Sequence, residues 1–161
     1  MDAIKMLKKQ HREVEGLFKE LQKAKSAGPR RKVFEKLADA LAVHATIEER
    51  HFYPAAKKKQ TQDMLLEAAE EHLAVKRVIA DLLDMDASDP IFMAKVTVLK
   101  EDVEHHVEEE EDELFPKVQK LLDEDELEAV AAAMQQTAQE LQSEGEPRMS
   151  VPSETREAAH I

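Results

Sequence analysis

Apolar residues recur every three or four positions along most of this chain, with polar residues between them. In the first predicted helix this stripe comprises Ile4, Leu7, His11, Val14, Phe18 and Leu21. Such a period is typical of amphipathic helices that pack side by side in antiparallel pairs. The pattern predicts five helices, over residues 2–25, 29–58, 61–85, 90–120 and 123–142.

Residues that favour helix starts and stops support these boundaries. Asp2 is suited to cap the first helix, and Asp89 followed by Pro90 is suited to begin the fourth. Short connections predict that consecutive helices run in opposite directions. The predicted fold class is all-α: an up-down-up-down four-helix bundle with an additional C-terminal helix, in one domain over residues 1–142. Residues 143–161 are polar and rich in Pro, Ser and Glu, which predicts a flexible tail.

Two of the helical stripes begin apolar and end in groups that carry charge. The second helix presents His44 and Glu48 and then reaches Pro54. The fourth helix repeats this sequence pattern 62 residues later, with His106, Glu110 and Pro116. Buried charges are costly unless they are paired or bound to a metal ion. The interior of the bundle must therefore contain partners that compensate these charges, either paired side chains or a metal ion.

The remaining helices add two histidines at matching positions. His11 and His72 lie on the first and third stripes, 61 residues apart. Counting along antiparallel helices at ~1.5 Å per residue places all four histidines in one layer of the bundle. Glu48 and Glu110 lie one turn further along the same inward faces. Four imidazoles and two carboxylates in one layer indicate a dinuclear metal site, or else a fully satisfied metal-free polar network.

Composition narrows the range of partners and of cellular settings. The net charge of −12 disfavours nucleic acid and anionic membranes and is compatible with cations. There are no cysteines, which excludes disulfides and thiolate-held clusters. No apolar run approaches the ~20 residues of a membrane span, and the N-terminus lacks the features of a signal peptide. A cytoplasmic protein is expected, as a monomer or as a homodimer formed through the apolar face of the last helix.

The placed motifs resemble the hemerythrin family, in its HHE cation-binding branch, over residues 1–120. The motif residues are His11, the segment His44 to Glu48, His72 and the segment His106 to Glu110. The resemblance implies a four-helix bundle with a non-haem diiron centre. It further implies that His11 and His44 bind one iron, that His72 and His106 bind the other, and that Glu48 and Glu110 bridge them. Manganese and zinc suit such ligands as less favoured alternatives.

One position departs from the oxygen-carrying members of the family. They have a further histidine one turn before the residue that matches His72, and this chain has Ala68 there. The candidates for an additional ligand, or for a group that supports a ligand, are Tyr53, His51, Glu113 and Glu15. The missing histidine argues against simple reversible oxygen carriage. It favours a more reactive iron that binds O2, peroxide or nitric oxide, and a catalase-like decomposition of peroxide.

Two further functions remain open at the level of sequence. A non-enzymatic bundle could sense iron or oxygen, or store iron, with metal loading ordering the fold. A metal-free helical module could act in protein interaction. No Gly-rich phosphate loop or catalytic nucleophile points to another chemistry.

Overall fold

A computed structural model describes all residues, 1–161, and it is helical throughout with no β-strand. The α-helices are α1 (Ala3–Lys23), α2 (Ala27–Ile47), α3 (Tyr53–Ala56), α4 (Gln62–Leu83), α5 (Pro90–Glu109), α6 (Phe115–Leu121) and α7 (Glu124–Glu144). Two π-helical turns, Glu48–Phe52 and Glu110–Leu114, join α2 to α3 and α5 to α6. A 3-10 helix, Pro147–Glu154, follows α7. None of the helices combines the length and apolar character that crossing a membrane requires.

Short polar side chains begin the helices where the sequence predicted them. Asp2 accepts a hydrogen bond from the backbone N–H of Lys5 at 2.9 Å. Asp89 accepts one from the N–H of Ile91, also at 2.9 Å, directly before Pro90. These caps satisfy N–H groups that have no partner within the helix. The predicted boundaries agree with the observed ones to within about one helical turn.

The helices form two antiparallel hairpins, and the predicted four-helix bundle with an additional C-terminal helix is confirmed. α1 packs on α2, α4 packs on α5, and α7 lies against α1 and α2. α7 buries Leu127, Met134 and Ala138 within the chain's own core. The apolar face of the last helix is therefore covered by the same molecule.

A polar layer divides the core of the bundle into two apolar clusters. Ile4, Leu7, Phe52, Phe115 and Met134 belong to one cluster. Phe18, Leu21, Phe34, Phe92 and Leu99 belong to the other. Between these clusters each of the four long bundle helices contributes one buried histidine.

The two π-helical turns lie directly before Pro54 and Pro116 and the α-helical turns that contain them. In each turn one extra residue is accommodated, so that the N–H of Tyr53 bonds to the carbonyl of Glu48, and that of Phe115 to Glu110. Pro54 and Pro116 then stand at the start of a new α-helical turn, where a missing N–H costs little. The chain therefore passes each proline as a helix, with a local widening instead of a stop.

The segment after Ser143 differs from the predicted flexible tail. α7 ends at Glu144, and residues 147–154 pack against α2 and α4. Val151 is 2% exposed, and Arg148 bonds to Asp39 of α2. Composition did not predict this packing, because the segment is mostly polar and its contacts are one buried apolar side chain and several ion pairs and hydrogen bonds to α2 and α4.

Candidate metal centre

The six residues predicted to gather in one layer lie together in the structure. All six are at most 7% exposed: His11, His44, Glu48, His72, His106 and Glu110. Glu48 Oε1 lies 3.0 Å from His44 Nε2 and 3.2 Å from His72 Nε2. Glu110 lies 3.2 Å from His11 Nε2 through Oε1 and 3.4 Å from His106 Nε2 through Oε2. Each glutamate thus reaches a histidine of its own hairpin and one of the other.

Most polar atoms at the centre of this cluster have no hydrogen-bond partner. They are His11 Nε2, His44 Nε2, both carboxylate oxygens of Glu48, and Glu110 Oε1. The histidine–glutamate distances given above are therefore close contacts that lack hydrogen-bond geometry. Buried polar atoms without partners are rare in native proteins, and each one is costly. Imidazole nitrogens and carboxylate oxygens are common ligands of transition-metal cations, and here their lone pairs are available to bind such a cation.

Each histidine is held from behind by a group on a neighbouring helix. The four Nδ1 atoms lie 2.6–2.8 Å from a side-chain oxygen. His11 pairs with Glu111, and His44 with Gln10. The other two pairs are His72 with Glu49 and His106 with Glu71.

These outer contacts fix which nitrogen faces the centre. An ionised carboxylate only accepts hydrogen bonds, so the Nδ1 atom that it contacts carries the proton. In a neutral imidazole Nε2 then presents a lone pair to the middle of the layer. Histidines that bind metal ions are commonly oriented in this way, and the outer partner also strengthens the ligand.

The sequence contained a signal for these outer partners that the prediction did not use. Each one is the immediate neighbour in sequence of a residue in the buried cluster. They also follow the internal repeat, since Gln10 and Glu71 are 61 residues apart and Glu49 and Glu111 are 62 apart. Periodicity assigned them to solvated helix faces, because their contacts cross between helices. Gln10 is the one neutral member of the set.

Tyr53 is the candidate additional residue that the structure brings to the cluster. Its hydroxyl donates to Glu110 Oε2 at 2.7 Å and lies 3.2 Å from His72 Nε2 and 3.3 Å from His106 Nε2. One hydroxyl hydrogen cannot serve all three atoms. The Nε2 atoms of the two histidines are themselves 3.1 Å apart. This half of the cluster therefore needs extra protons or a cation to compensate its lone pairs.

The other half of the cluster lacks such a hydroxyl. The residue that matches Tyr53 in the internal repeat is Phe115, whose ring stacks on His11 with centroids 5.9 Å apart. Ala68, which stands where oxygen-carrying relatives have a histidine, lines a small cleft with His106 and Glu110. The two halves of the layer are thus chemically distinct, and Tyr53 and Ala68 lie on the same side.

The other three candidates make contacts elsewhere. His51 Nε2 lies 2.7 Å from the hydroxyl of Thr137 on α7. Glu15 is exposed and pairs with Arg12 and Lys19 on the surface of α1. Glu113 is exposed and forms no ion pair or hydrogen bond with the buried histidines, although it borders the cleft beside Ala68. The side chains of these three residues therefore form no hydrogen bond or ion pair with the six buried residues of the cluster.

Electrostatic coupling within the layer shifts several pKa values. Burial alone would raise the pKa of Glu48, but its electrostatic interactions with His44 and the other side chains of the layer hold that pKa well below its usual range. Burial would lower the pKa of His106, yet Glu110 raises it well above the ordinary value. The hydroxyl of Tyr53 has a pKa well above its usual range because of burial and the nearby Glu110 carboxylate. These shifts favour ionised carboxylates and protonated histidines within the metal-free layer.

The fold and the site together define a helical bundle with a buried histidine–carboxylate centre suited to cations. Residues 2–118 match the family model described as the hemerythrin HHE cation binding domain. The chain therefore belongs to the hemerythrin HHE cation-binding family.

Two similar proteins extend this comparison. A crystal structure of an HHE cation-binding-domain protein from Mycobacterium kansasii has a TM-score of 0.78 and 27% sequence identity, covering 95% of this chain and 99% of that one. A DNA nickase from a Nostoc strain is 27% identical over 141 residues, which cover 88% of this chain and 39% of the nickase. The chain thus spans about two fifths of that relative's length.

Proposed function

We propose that this protein is a hemerythrin-like non-haem diiron protein that binds or reacts with a small oxidant: O2, peroxide or nitric oxide. In this proposal His11 and His44 hold one iron, and His72 and His106 hold the other. Glu48 and Glu110 bridge the two ions. Bound iron would supply redox chemistry that none of the side chains provides.

The observation that carries the proposal is the set of unpartnered atoms at the centre of the layer. Five buried nitrogen and oxygen atoms lack hydrogen-bond partners, and they belong to four of the six proposed ligands. The buried side chains form two overlapping groups, and the candidate ligand atoms within each group all lie within 4.8 Å of one another. Glu48 belongs to both groups. A carboxylate shared between two groups supports a pair of ions over a single one.

Iron is favoured over manganese and zinc because the donors combine imidazoles, carboxylates and a phenol. Mixed nitrogen and oxygen donors suit iron, and a phenolate favours its ferric form. Tyr53 is a candidate ligand on the side of His72 and His106, since its hydroxyl already lies within 3.3 Å of both. Ala68 leaves that side one protein ligand short, which supports reaction with peroxide over reversible oxygen carriage.

The DNA-nicking activity of the Nostoc protein is not part of the proposal. The similarity covers 39% of that protein, and the present chain has a net charge of −12. Strong negative charge opposes contact with the phosphate backbone. The acidic surface is instead consistent with attracting cations.

A peroxide assay with matched histidine variants tests the proposal. The iron-loaded protein is mixed with hydrogen peroxide while oxygen evolution and the visible spectrum are recorded. His106→Ala removes a proposed ligand, whereas His105→Ala removes its neighbour, whose side chain is 64% exposed. We expect a spectral change and oxygen evolution above a free-iron control in the wild type and in His105→Ala, and loss of both in His106→Ala.

Three results would contradict parts of this proposal. A spectrum that responds to peroxide without oxygen evolution would remove the catalase-like reaction and leave oxidant binding. An iron-loaded protein that responds to none of peroxide, O2 and nitric oxide would favour iron storage or sensing by metal-dependent folding. Equal behaviour of His105→Ala and His106→Ala would remove His106 from the site.

A further inference from the structure

A small cavity lies beside the histidine layer, on the side away from the π-helical turns. Its volume is about 40 Å³, and all four buried histidines line it. Apolar residues from both hairpins form most of the remaining wall, with Leu41, Ile79 and Val103 among them. A small uncharged molecule in this cavity would lie in contact with the histidine side chains of the layer.

The C-terminal 3-10 helix closes this cavity. Val151 and Glu154 are the residues of that helix that line it. Val151 is 2% exposed, while Met149 in the same helix is 60% exposed and Pro152 is exposed. The segment therefore inserts one apolar side chain between α2 and α4, while Met149 and Pro152 stay at the surface.

Charged contacts hold the segment on both hairpins. Arg148 donates to Asp39 of α2 through its backbone N–H at 2.9 Å and its guanidinium at 3.0 Å. Glu154 pairs with Lys76 of α4 at 3.1 Å. Lys76 is itself 6% exposed and also donates to Glu49, the residue that holds His72. Val151 and Glu154 form the roof of the cavity. Through Lys76 and Glu49, this roof is connected to the hydrogen bond that orients His72.

We infer that Val151 is a specificity-determining residue, which sets the largest molecule that fits against the histidine layer. A cavity of about 40 Å³ is far smaller than the ~150 Å³ that accommodates benzene. It suits ligands of two or three heavy atoms, such as O2, nitric oxide, hydrogen peroxide or azide. The choice of these ligands rests on the proposed function, whereas the cavity and its roof do not.

Xenon binding measures the cavity without any reaction of a metal. Xenon occupies apolar protein cavities, and its NMR shift reports its uptake by the purified full-length protein. Val151→Ala removes two methyl groups from the wall of the cavity, and we expect xenon affinity to rise roughly five- to tenfold because the larger space holds the atom without crowding. Val151→Leu fills the space and lowers the affinity. Val98, which is 48% exposed on α5, gives the control variants Val98→Ala and Val98→Leu, which should leave it unchanged.

Reaction with two peroxides then tests the selectivity itself. In the iron-loaded protein we expect Val151→Ala to raise the rate with tert-butyl hydroperoxide, relative to that with hydrogen peroxide, by about tenfold, because widening removes a steric block. Thermal melts of each variant check that the bundle remains folded. An unchanged ratio of the two rates would overturn the assignment of Val151 as the size-determining residue.

The outcomes separate this inference from the proposed function. Xenon affinity that changes no more in Val151→Ala than in Val98→Ala would show that Val151 does not limit the cavity, and this result is independent of any reaction of iron. Xenon binding that follows the volume of residue 151, in a protein whose iron responds to none of peroxide, O2 and nitric oxide, would support the role of Val151 and contradict the proposed function. Both measurements use the whole chain, so the roof is tested in its native position.

Discussion

At the scale of single residues, the layer depends on groups that never point to its centre. Glu71, Glu49 and Glu111 each accept a hydrogen bond from the Nδ1–H of a histidine on another helix. Hydrogen bonds to a charged acceptor are stronger than neutral ones, and they lock the ring in one orientation. Such contacts raise the basicity of a histidine ring. Those of Glu49 and Glu111 also join the two hairpins.

Replacement of Glu71 by Gln should weaken metal binding without unfolding the bundle. The carboxylate holds His106 at 2.8 Å, and losing its charge is expected to lower metal affinity roughly 10- to 100-fold. Competition with a chromogenic chelator measures the affinity. Glu70→Gln changes an exposed neighbour and should behave as the wild type. An equal affinity of the two variants would mean that the outer carboxylate does not support the ligand.

Replacement of Tyr53 by Phe tests whether its oxygen contacts iron. We expect the ferric wild-type protein to show a visible phenolate absorption band and the variant to lack it. The pKa of Tyr53 is raised by burial and by the Glu110 carboxylate, so ionisation at neutral pH requires a cation beside the oxygen. A visible band that persists unchanged in Tyr53→Phe would exclude the phenolate as its source.

The residue scale also shows what sequence could predict. The six core ligand candidates came from helical periodicity, because each lies on an inward stripe. Their outer partners did not, since Glu71 and Glu111 lie off that stripe and reach across to a neighbouring helix. His51 illustrates the opposite error. It lies on the stripe, yet the widened helical turn directs it to Thr137 of α7.

At the scale of elements, the π-helical turns place the glutamates and the residues that follow them. Glu48 and Glu110 begin the two turns, and Tyr53 and Phe115 follow directly after them. The extra residue in each turn rotates the next side chains by about 100° relative to an α-helix. Phe52 and Tyr53 are both completely buried as a result. π-helical turns are frequent at functional sites, and here they flank the proposed metal ligands.

Deletion of Arg50 should disrupt both packing and metal binding. It removes the extra residue of the first π-helical turn, so that Phe52 and Tyr53 rotate out of their sites. We expect a loss of about 3–5 kcal/mol, the usual effect of removing a large aromatic side chain from a core. Chemical denaturation and metal content measure the two effects. Arg50→Ala keeps the chain length and, because Arg50 is exposed, should be nearly neutral; an equally neutral deletion would contradict this role.

The elements were predictable to different degrees. Helix positions followed from the apolar period and from caps such as Asp2 and Asp89, which act locally. The π-helical turns were not predictable, because a proline at Pro54 favours either a kink or an end and the choice depends on tertiary packing. The roof segment was missed for a related reason. Val151 alone gives no period, and its site exists only after two hairpins have assembled.

At the scale of the whole molecule, a layer of buried charge separates two apolar clusters. In the metal-free state this layer is compensated by protons. Burial favours neutral histidines, but nearby carboxylates raise the pKa values of His11, His72 and His106 above 6.5. The folded state therefore retains protons that the unfolded chain releases. In the proposed metal-bound state a cation would displace those protons and compensate the carboxylates in their place.

The pH dependence of stability should differ between the metal-free and metal-loaded forms. The histidine contribution to metal-free stability is complete below the unfolded pKa of about 6.5 and is lost as pH rises through the raised folded values. The lowered pKa values of Glu48 and Glu49 add a loss as pH falls below about 4.5. Metal-free protein should thus be most stable in weak acid, whereas metal-loaded protein should gain stability toward neutral pH. Melting curves between about pH 5 and 8 check this, and parallel profiles would contradict it.

The most direct test of the central claim is the metal content of the purified protein. Elemental analysis after mild purification, or after anaerobic loading with ferrous iron, should find two iron ions per chain. His72→Ala and Glu48→Gln should lower this number, and His105→Ala should not. No bound metal, or a stoichiometry that these buried substitutions leave unchanged, would show that the layer is a proton-compensated polar network.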